Sequence, residues 1–168
     1  MELRTERLVL RPVTEADVDV LLAIRNAPGV SETADAREPL SRERMAGQVE
    51  RRVRSWRERG FGSWLCLEGE EPVAFVEVLP AGEGSGVPVG ELEVGVVVHP
   101  AHWGRGIAAE AGLAVARDLF DRVGRERVYA EIEPTNEKSL RLVAKVPGVR
   151  HVGGELYELT RAAVGSQR

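Results

Sequence analysis

Hydrophobic residues recur at helical spacing in four parts of the chain. The longest pattern repeats every four residues from Ile107 to Leu119, with a second apolar row beside it, and predicts a broad-faced helix over 104–122 that packs on a sheet. Three shorter patterns predict further helices that begin after Thr14, after Ser41 and after the turn at 134–136. The rest of the apolar positions follow a different period.

Segments rich in β-branched and alternating apolar residues are predicted to be strands. They are 7–11, 63–68, 73–79, 91–99, 128–133, 149–152 and 156–159. The second and third of these flank a turn at 69–72 and should form an antiparallel hairpin. Strand 91–99, helix 104–122 and strand 128–133 form one β-α-β unit, whose crossover should be right-handed and whose strands should be parallel. The element order predicts a single α/β (α+β) domain over 1–168, with a mixed, mostly antiparallel sheet of six or seven strands and helices on both faces.

The composition fits one ordinary domain. The 168 residues are 43% hydrophobic and 30% charged, which is enough for one full core. The net charge of −4 provides no basic field for a nucleic acid. Because no apolar run is long enough to span a membrane, and charges occupy the start of the chain where a signal peptide is apolar, we expect a soluble, cytoplasmic protein with no membrane partner. One cysteine and three histidines without ligand spacing predict neither a disulfide framework nor a bound metal.

The most informative segment joins strand 91–99 to helix 104–122. The amides from Gly104 to Ala108 would include unpaired donors of the first helical turn, and Gly104 and Gly106 let a phosphate approach the main chain closely. A helix start of this kind binds anions, and Arg105 could add a charge-assisted contact or point to water. Neither GxxxxGK[ST] nor GxGxxG occurs here, so a nucleoside-triphosphate loop and a dinucleotide fold are both disfavoured. The alternative interpretation is a tight strand-to-helix turn without a ligand.

Three segments, in order, resemble the GNAT N-acetyltransferase superfamily, and in particular its branch of RimJ/RimL-type ribosomal-protein N-terminal alanine acetyltransferases. They are LRTERLVLRPVTEADVDVLLAIRN, ELEVGVVVHPAHWGRGIAAEA and EIEPTNEKSLRLVAKVPG. Trp103 stands where the family's loop pattern has Gln or Arg, as is common in this branch, and Gly106 and Ala108 take the positions of its glycine and of its last residue. The family's Glu-Lys-x-Gly-Phe is replaced by AKVPGV at 144–149, which leaves the C-terminal substrate wall less defined.

The resemblance implies an enzyme that uses acetyl-CoA as co-substrate and no metal. The cofactor's pyrophosphate would lie on the loop, whose binding residues would be Trp103, Gly104, Arg105, Gly106, Ile107 and Ala108. The family splays its fourth and fifth strands apart, often with a bulge, so the pantetheine arm would pair with the main chain of Val96, Val97 and Val98. Asn136 would line the thiol side, and the thioester carbonyl would lie near a strand amide that stabilises the oxyanion.

The implied reaction is direct attack of a primary amine on the thioester, which requires a proton acceptor for the amine. Glu93 and Glu91 are two residues apart and therefore on one face of the strand. Glu93 is preferred because it matches the branch's usual carboxylate before an apolar residue and a glycine, and Glu77 is a further candidate. Each of these could instead be an ordinary strand glutamate.

The departing thiolate would benefit from a proton donor. Ser139 is carried over from the family as this acid, and Tyr129 and Tyr157 are alternatives. Because the family transfers the acetyl group without an acyl-enzyme, Cys66 need not act as a nucleophile and fits a small buried residue better.

The sequence does not identify the acceptor of the acetyl group. A protein N-terminus, a small-molecule amine (an aminoglycoside, polyamine or amino acid) and no acceptor at all, as in a non-catalytic acyl-CoA-binding protein, each agree with the sequence. The segments expected to decide are 26–40, 80–90 and 144–168. A homodimer is compatible with the resemblance, although no large exposed apolar stripe demands it.

Overall fold

Eight strands form one sheet in the computed structural model, which describes residues 1–30, 38–82 and 85–165. In chain order they are β1 (Leu3–Arg4), β2 (Leu8–Pro12), β3 (Trp64–Glu68), β4 (Glu71–Pro80), β5 (Leu92–Val98), β6 (Arg127–Glu131), β7 (Arg150–Gly153) and β8 (Leu156–Thr160). They lie in the order β1-β2-β3-β4-β5-β6-β8-β7, with antiparallel neighbours except for the parallel pair β5 and β6. This confirms the mixed, mostly antiparallel sheet. The expected count of six or seven strands was wrong, because β1 has two residues and is too short to show an alternating pattern.

Five helices accompany the sheet in the described ranges. They are α1 (Val18–Arg25), α2 (Arg42–Arg59), α3 (Ile107–Asp121), α4 (Glu137–Val143) and α5 (Arg161–Gly165). The hydroxyl of Ser41 accepts a hydrogen bond from the Arg44 amide and begins α2, as its sequence predicted. Helix α3 begins three residues later than predicted, because a 3-10 turn and two left-handed glycines precede it. None of these helices is long and apolar enough to cross a membrane.

The sheet is covered on both faces, as predicted. Helix α3 packs on one face, where Ile107 and Val115 contact a core that includes Ala74 and Val76. Helices α1 and α2 pack on the other face around Phe75. Since Phe75 and Val76 are neighbours in β4, their opposite directions follow from the strand's alternation.

Cys66 lies fully buried in the core beneath α3. Burial raises the pKa of its thiol to about 12, so the thiolate that a nucleophile needs is disfavoured. The interpretation of Cys66 as a small buried residue is confirmed.

Of the segments expected to govern acceptor choice, residues 31–37, 83–84 and 166–168 lie outside the described residues.

Candidate active site

The parallel strands β5 and β6 separate soon after they meet. They pair at one register position, Glu93 with Tyr129. Strand β5 stays paired with β4 along its whole length, from Leu92 to Val98, without a register shift. Beyond Glu93, one edge of β5 therefore faces a gap instead of a strand. An open strand edge can hydrogen-bond an extended ligand as a further strand would.

The register shows which main-chain groups face this gap. The amide of His99 donates to the Val73 carbonyl, so His99 directs its main chain toward β4. In an antiparallel ladder the direction alternates, so Val97 also faces β4, whereas Val96 and Val98 face the gap. The expected pairing of a ligand with the Val97 main chain is therefore corrected, since those groups belong to the β4 ladder.

A cleft of about 530 Å³ lies along the open edge and ends at the start of α3. It is lined by nearly all the residues that the sequence analysis assigned to cofactor binding, together with the candidate acid. These are Val96, Val97, Val98, Trp103, Gly104, Gly106, Ile107, Ala108, Asn136 and Ser139. Arg105 does not line the cleft, and its guanidinium makes hydrogen bonds of 2.9 Å and 2.8 Å to the two carboxylate oxygens of Glu68. Arg105 therefore does not simply point to water, and its contact with a ligand stays a prediction.

The turn into α3 leaves main-chain donors without helical partners. The first intrahelical bond runs from the Glu110 amide to the Gly106 carbonyl, at 3.1 Å, so the three preceding amides have none. Gly104 and Gly106 have φ values of 74° and 78°, a left-handed conformation that glycine adopts without strain. A Cβ on Gly104 would meet nothing within 4 Å, which shows that the approach to this main chain is open.

The Glu110 carboxylate fixes the start of α3 to the N-terminal strands. It accepts hydrogen bonds from the Thr5 hydroxyl at 2.5 Å, from the Arg7 amide at 3.2 Å, and from the Arg7 guanidinium at 2.9 Å and 2.6 Å. Burial alone would raise the pKa of Glu110, but these hydrogen bonds outweigh it and lower the pKa below its usual range. This charged contact thus fixes the orientation of the helix N-terminus, and its three residues are not part of the cleft lining.

Trp103 ties the loop to the end of β5. Its indole nitrogen donates to the Val98 carbonyl at 2.8 Å, and the Lys138 ammonium lies 3.6 Å from its ring centroid. Gly29, just after α1, has a φ of 90°, and a Cβ there would lie 3.0 Å from the indole ring. Glycine therefore allows the chain after α1 to approach the ring. The Val98 carbonyl already accepts the hydrogen bond from the Trp103 indole. The main-chain groups that remain for a ligand in the gap are therefore those of Val96 and the Val98 amide.

The cleft also contains cations that the sequence analysis missed. Lys138, Arg141 and Lys145 line it from α4 and the residues after that helix. Their spacing of three and four residues is a signal for one helical face and could have identified them. Arg25 reaches the cleft from the end of α1, and its Nη1 atom is buried with no hydrogen-bond partner among the described residues. No local pattern marks Arg25, because only the packing of α1 on the sheet brings it there.

The candidate base lies on the α2 side of the sheet. Burial raises the pKa of the half-buried Glu93, and the nearby carboxylates of Glu131 and Glu77 raise it further. Glu77 is not a free carboxylate, because it forms an ion pair with Arg52. A carboxylate with a raised pKa is a stronger base than an exposed one, which suits a group that takes a proton from an amine.

The candidate acid, Ser139, lies in the first turn of α4. The Asn136 side chain accepts a hydrogen bond from the Ser139 amide at 3.1 Å, which caps the helix. Both residues line the cleft. These two residues therefore form the cap of α4 and line the cleft at the same time.

Known structures share this architecture. A putative GnaT-family acetyltransferase from Bordetella pertussis is 28% identical, with 95% of this chain and 99% of that chain covered at a TM-score of 0.77. The acetyltransferase from Agrobacterium tumefaciens str. C58 is 24% identical, covering 96% of this chain and 95% of that one at a TM-score of 0.76. Aminoglycoside acetyltransferase AAC(6')-Ib, solved with coenzyme A and kanamycin, is 16% identical, covering 96% and 99% at a TM-score of 0.80, and this similarity shows the fold alone.

The sequence profile of the acetyltransferase (GNAT) domain matches residues 7–147. This match begins at β2, ends just after α4, and includes the open edge of β5 and the turn into α3. It spans most of the chain, and the protein is therefore a member of the GNAT family of acetyltransferases.

Proposed function

We propose that this protein transfers an acetyl group from acetyl-CoA, bound in the cleft beside β5, directly to a primary amine. The observation that carries the proposal is the continuity of the cleft. An open strand edge at Val96 leads to unpaired amides at the first turn of α3. A strand edge suits the amide-containing pantetheine arm, and a helix N-terminus suits a diphosphate.

The cleft's own residues fit such a ligand. It has an apolar strand side, open glycines at the turn, and cations at Lys138, Arg141 and Lys145 on the opposite wall. The Nη1 atom of Arg25, which is buried without a hydrogen-bond partner in the described part of the chain, is a polar atom that a bound anion or carbonyl would satisfy. When bound, acetyl-CoA supplies the reactive thioester, and the chain supplies binding, orientation and proton transfer.

Proton transfer is assigned to Glu93 and Ser139. Glu93 takes the proton of the attacking amine, for which its raised pKa is suited. Ser139, at the α4 wall of the cleft, donates its hydroxyl proton to the departing sulfur and takes a proton back from solvent before the next turnover. The Val96 amide, which the register directs into the gap, is the candidate donor for the oxyanion. The acceptor amine therefore approaches from the α2 side of the sheet, where the Glu93 side chain lies.

The test is an acetylation assay with matched acceptors. The protein is incubated with acetyl-CoA and peptides that have a free N-terminus, as the RimJ/RimL resemblance predicts, with the same peptides blocked at the N-terminus, and with small-molecule amines. Thiol release and product mass are measured. Release that requires a free amine is the expected result. Binding of CoA without release for any amine would instead identify a non-catalytic acyl-CoA-binding protein.

Arg25 provides a first prediction about the cleft. Arg25→Gln should weaken CoA binding about tenfold, because a charge-assisted hydrogen bond to the ligand is lost. The stability of the ligand-free protein should not fall, because the affected Nη1 has no partner in the described structure. Calorimetric titration and thermal unfolding measure the two effects. Arg117→Gln, on the exposed side of α3, is the control, and equal CoA affinities in the two variants would contradict the assignment.

A further inference from the structure

A second cavity, of about 550 Å³, lies between α2 and β4 on the face of the sheet opposite α3. Its lining contains four arginines of α2 and two glutamates, and it ends on the C-terminal residues of β4. The charged residues are Arg51, Arg52, Arg54, Arg59, Glu58 and Glu77. The excess of guanidinium groups makes this cavity electropositive in a protein whose net charge is −4.

Two of the four arginines already have carboxylate partners. Arg52 is 7% exposed and donates to Glu77, and its guanidinium lies 5.5 Å from the centroid of the Phe75 ring. Arg54 donates to Glu50 at 2.8 Å. Arg51 and Arg59 form no ion pair with any carboxylate in the described ranges, and both are exposed. They are the cations of this cavity that can bind an incoming anion.

An unsatisfied hydroxyl lies in the same cavity. Ser63 is 1% exposed, and its Oγ atom is buried without a hydrogen-bond partner among the residues that the structure describes. Buried polar atoms normally have a partner, because an unpaired one costs stability. A ligand oxygen in the cavity would provide that partner. This observation is independent of the arginine charges and also points to a polar ligand.

The cavity adjoins the proposed base. Leu79, which lines it, is the cross-strand neighbour of Glu93, and paired side chains on one face of a sheet lie about 5 Å apart. Glu77 also lines the cavity and is close enough to Glu93 to affect its protonation. An amine beside Glu93 therefore places the rest of its molecule next to the guanidinium groups of α2.

We infer that this cavity, defined by Arg51, Arg59 and Ser63, is the acceptor subsite and selects amines that carry a carboxylate close to the reacting nitrogen. The inference rests on the proposed function. The carboxylate can be the α-carboxylate of an amino acid or the acidic side chain beside a peptide N-terminus, and both present the same chemistry to a guanidinium. Polycationic acceptors are disfavoured, because the same arginines repel them.

The test compares acceptors that differ only in that charge. Values of kcat/KM are measured for a peptide with Glu after its N-terminal residue against the same peptide with Gln, and for an amino acid against its amide. We expect the carboxylate member of at least one pair to be preferred about tenfold, through KM. The pair that shows the preference identifies the source of the carboxylate. The preference should shrink as salt is added, since both arginines are exposed.

Variants assign the preference to the cavity. The double variant Arg51→Gln/Arg59→Gln should remove most of it while leaving the uncharged acceptors and the KM for acetyl-CoA unchanged. Ser63→Ala should also reduce the preference for the carboxylate-bearing acceptor, without changing the structure of the sheet. Arg57→Gln, on α2 but outside the lining, is the matched control and should behave as the unmodified protein.

Three results would overturn the inference. Equal transfer to both members of every pair would remove the subsite and leave the proposed function intact. A preference that survives in the double variant would place its origin elsewhere. Absence of transfer to every amine, charged or not, would overturn the proposed function and this inference together.

Discussion

Replacing Glu93 with glutamine should lower kcat by about a hundredfold or more and at the same time stabilise the folded protein at neutral pH. General-base catalysis contributes roughly 10²- to 10⁴-fold, and glutamine cannot accept the proton. The stability gain follows from the raised pKa of Glu93, since burial and the carboxylates of Glu131 and Glu77 disfavour its ionised form in the folded state. A neutral side chain of the same shape removes that cost.

The pH dependence has a defined sign. Because the pKa of Glu93 is higher in the folded than in the unfolded protein, its contribution to stability is most favourable at low pH and is lost as the pH rises through the folded-state pKa. Activity should change in the opposite direction, since kcat/KM falls as Glu93 becomes protonated. In Glu93→Gln the remaining activity should lose this acidic limb.

Urea unfolding and steady-state kinetics over a range of pH measure both effects. Glu91→Gln is the matched control, because Glu91 lies just before β5 and was the other candidate base on the same sequence pattern. It should retain most of the turnover. Full activity in Glu93→Gln, or an unchanged acidic limb, would assign proton transfer to another group.

Replacing Gly106 with valine should weaken CoA binding at least a hundredfold. With its φ of 78°, Gly106 has a left-handed conformation, which a β-branched residue adopts only with strain. Relief of that strain rotates the peptide groups at the start of α3 and misaligns the amides that would bind the diphosphate. A Cβ there would lie 3.7 Å from Arg7 Nη2, an ordinary contact, so the effect arises from the backbone and not from a clash.

Gly124 offers a matched control for the same strain. It also has a φ of 78°, lies beyond the other end of α3, and a Cβ on it would meet nothing within 4 Å. Both valine variants should lose about 1–2 kcal/mol of stability. Only Gly106→Val should lose CoA affinity in calorimetric titration. If Gly124→Val loses affinity equally, the helix start has no special role.

Local patterns in the sequence were sufficient for the elements that form the cleft. The four-residue period from Ile107 identified α3, and the glycines at 104 and 106 identified the turn before it, because both features depend on neighbours along the chain. The parallel pairing of β5 with β6 followed from the β-α-β connection, because a strand that follows a crossover helix runs in the same direction as the strand before it. These features depend on short-range or topological constraints, so they can be predicted from the order of residues and elements along the chain.

Features that depend on register and packing were not accessible in the same way. The direction of the Val97 main chain follows from its pairing with β4, and a shift of one residue would reverse it. Arg25 and Ser63 become informative only because tertiary packing buries one polar atom of each without a hydrogen-bond partner among the described residues. Glu77 appeared as an isolated charge in an apolar strand, and its partner Arg52 lies 25 residues away on α2.

The most direct test of the cofactor site is a calorimetric titration of the unmodified protein with CoA and, separately, with pantetheine, which lacks the diphosphate. The site described here predicts saturable binding of one CoA per chain in the cleft between β5 and α4, with pantetheine bound at least tenfold more weakly, because the amides at the start of α3 contact the diphosphate. Absence of binding at millimolar CoA, or equal affinities for the two ligands, would contradict the account.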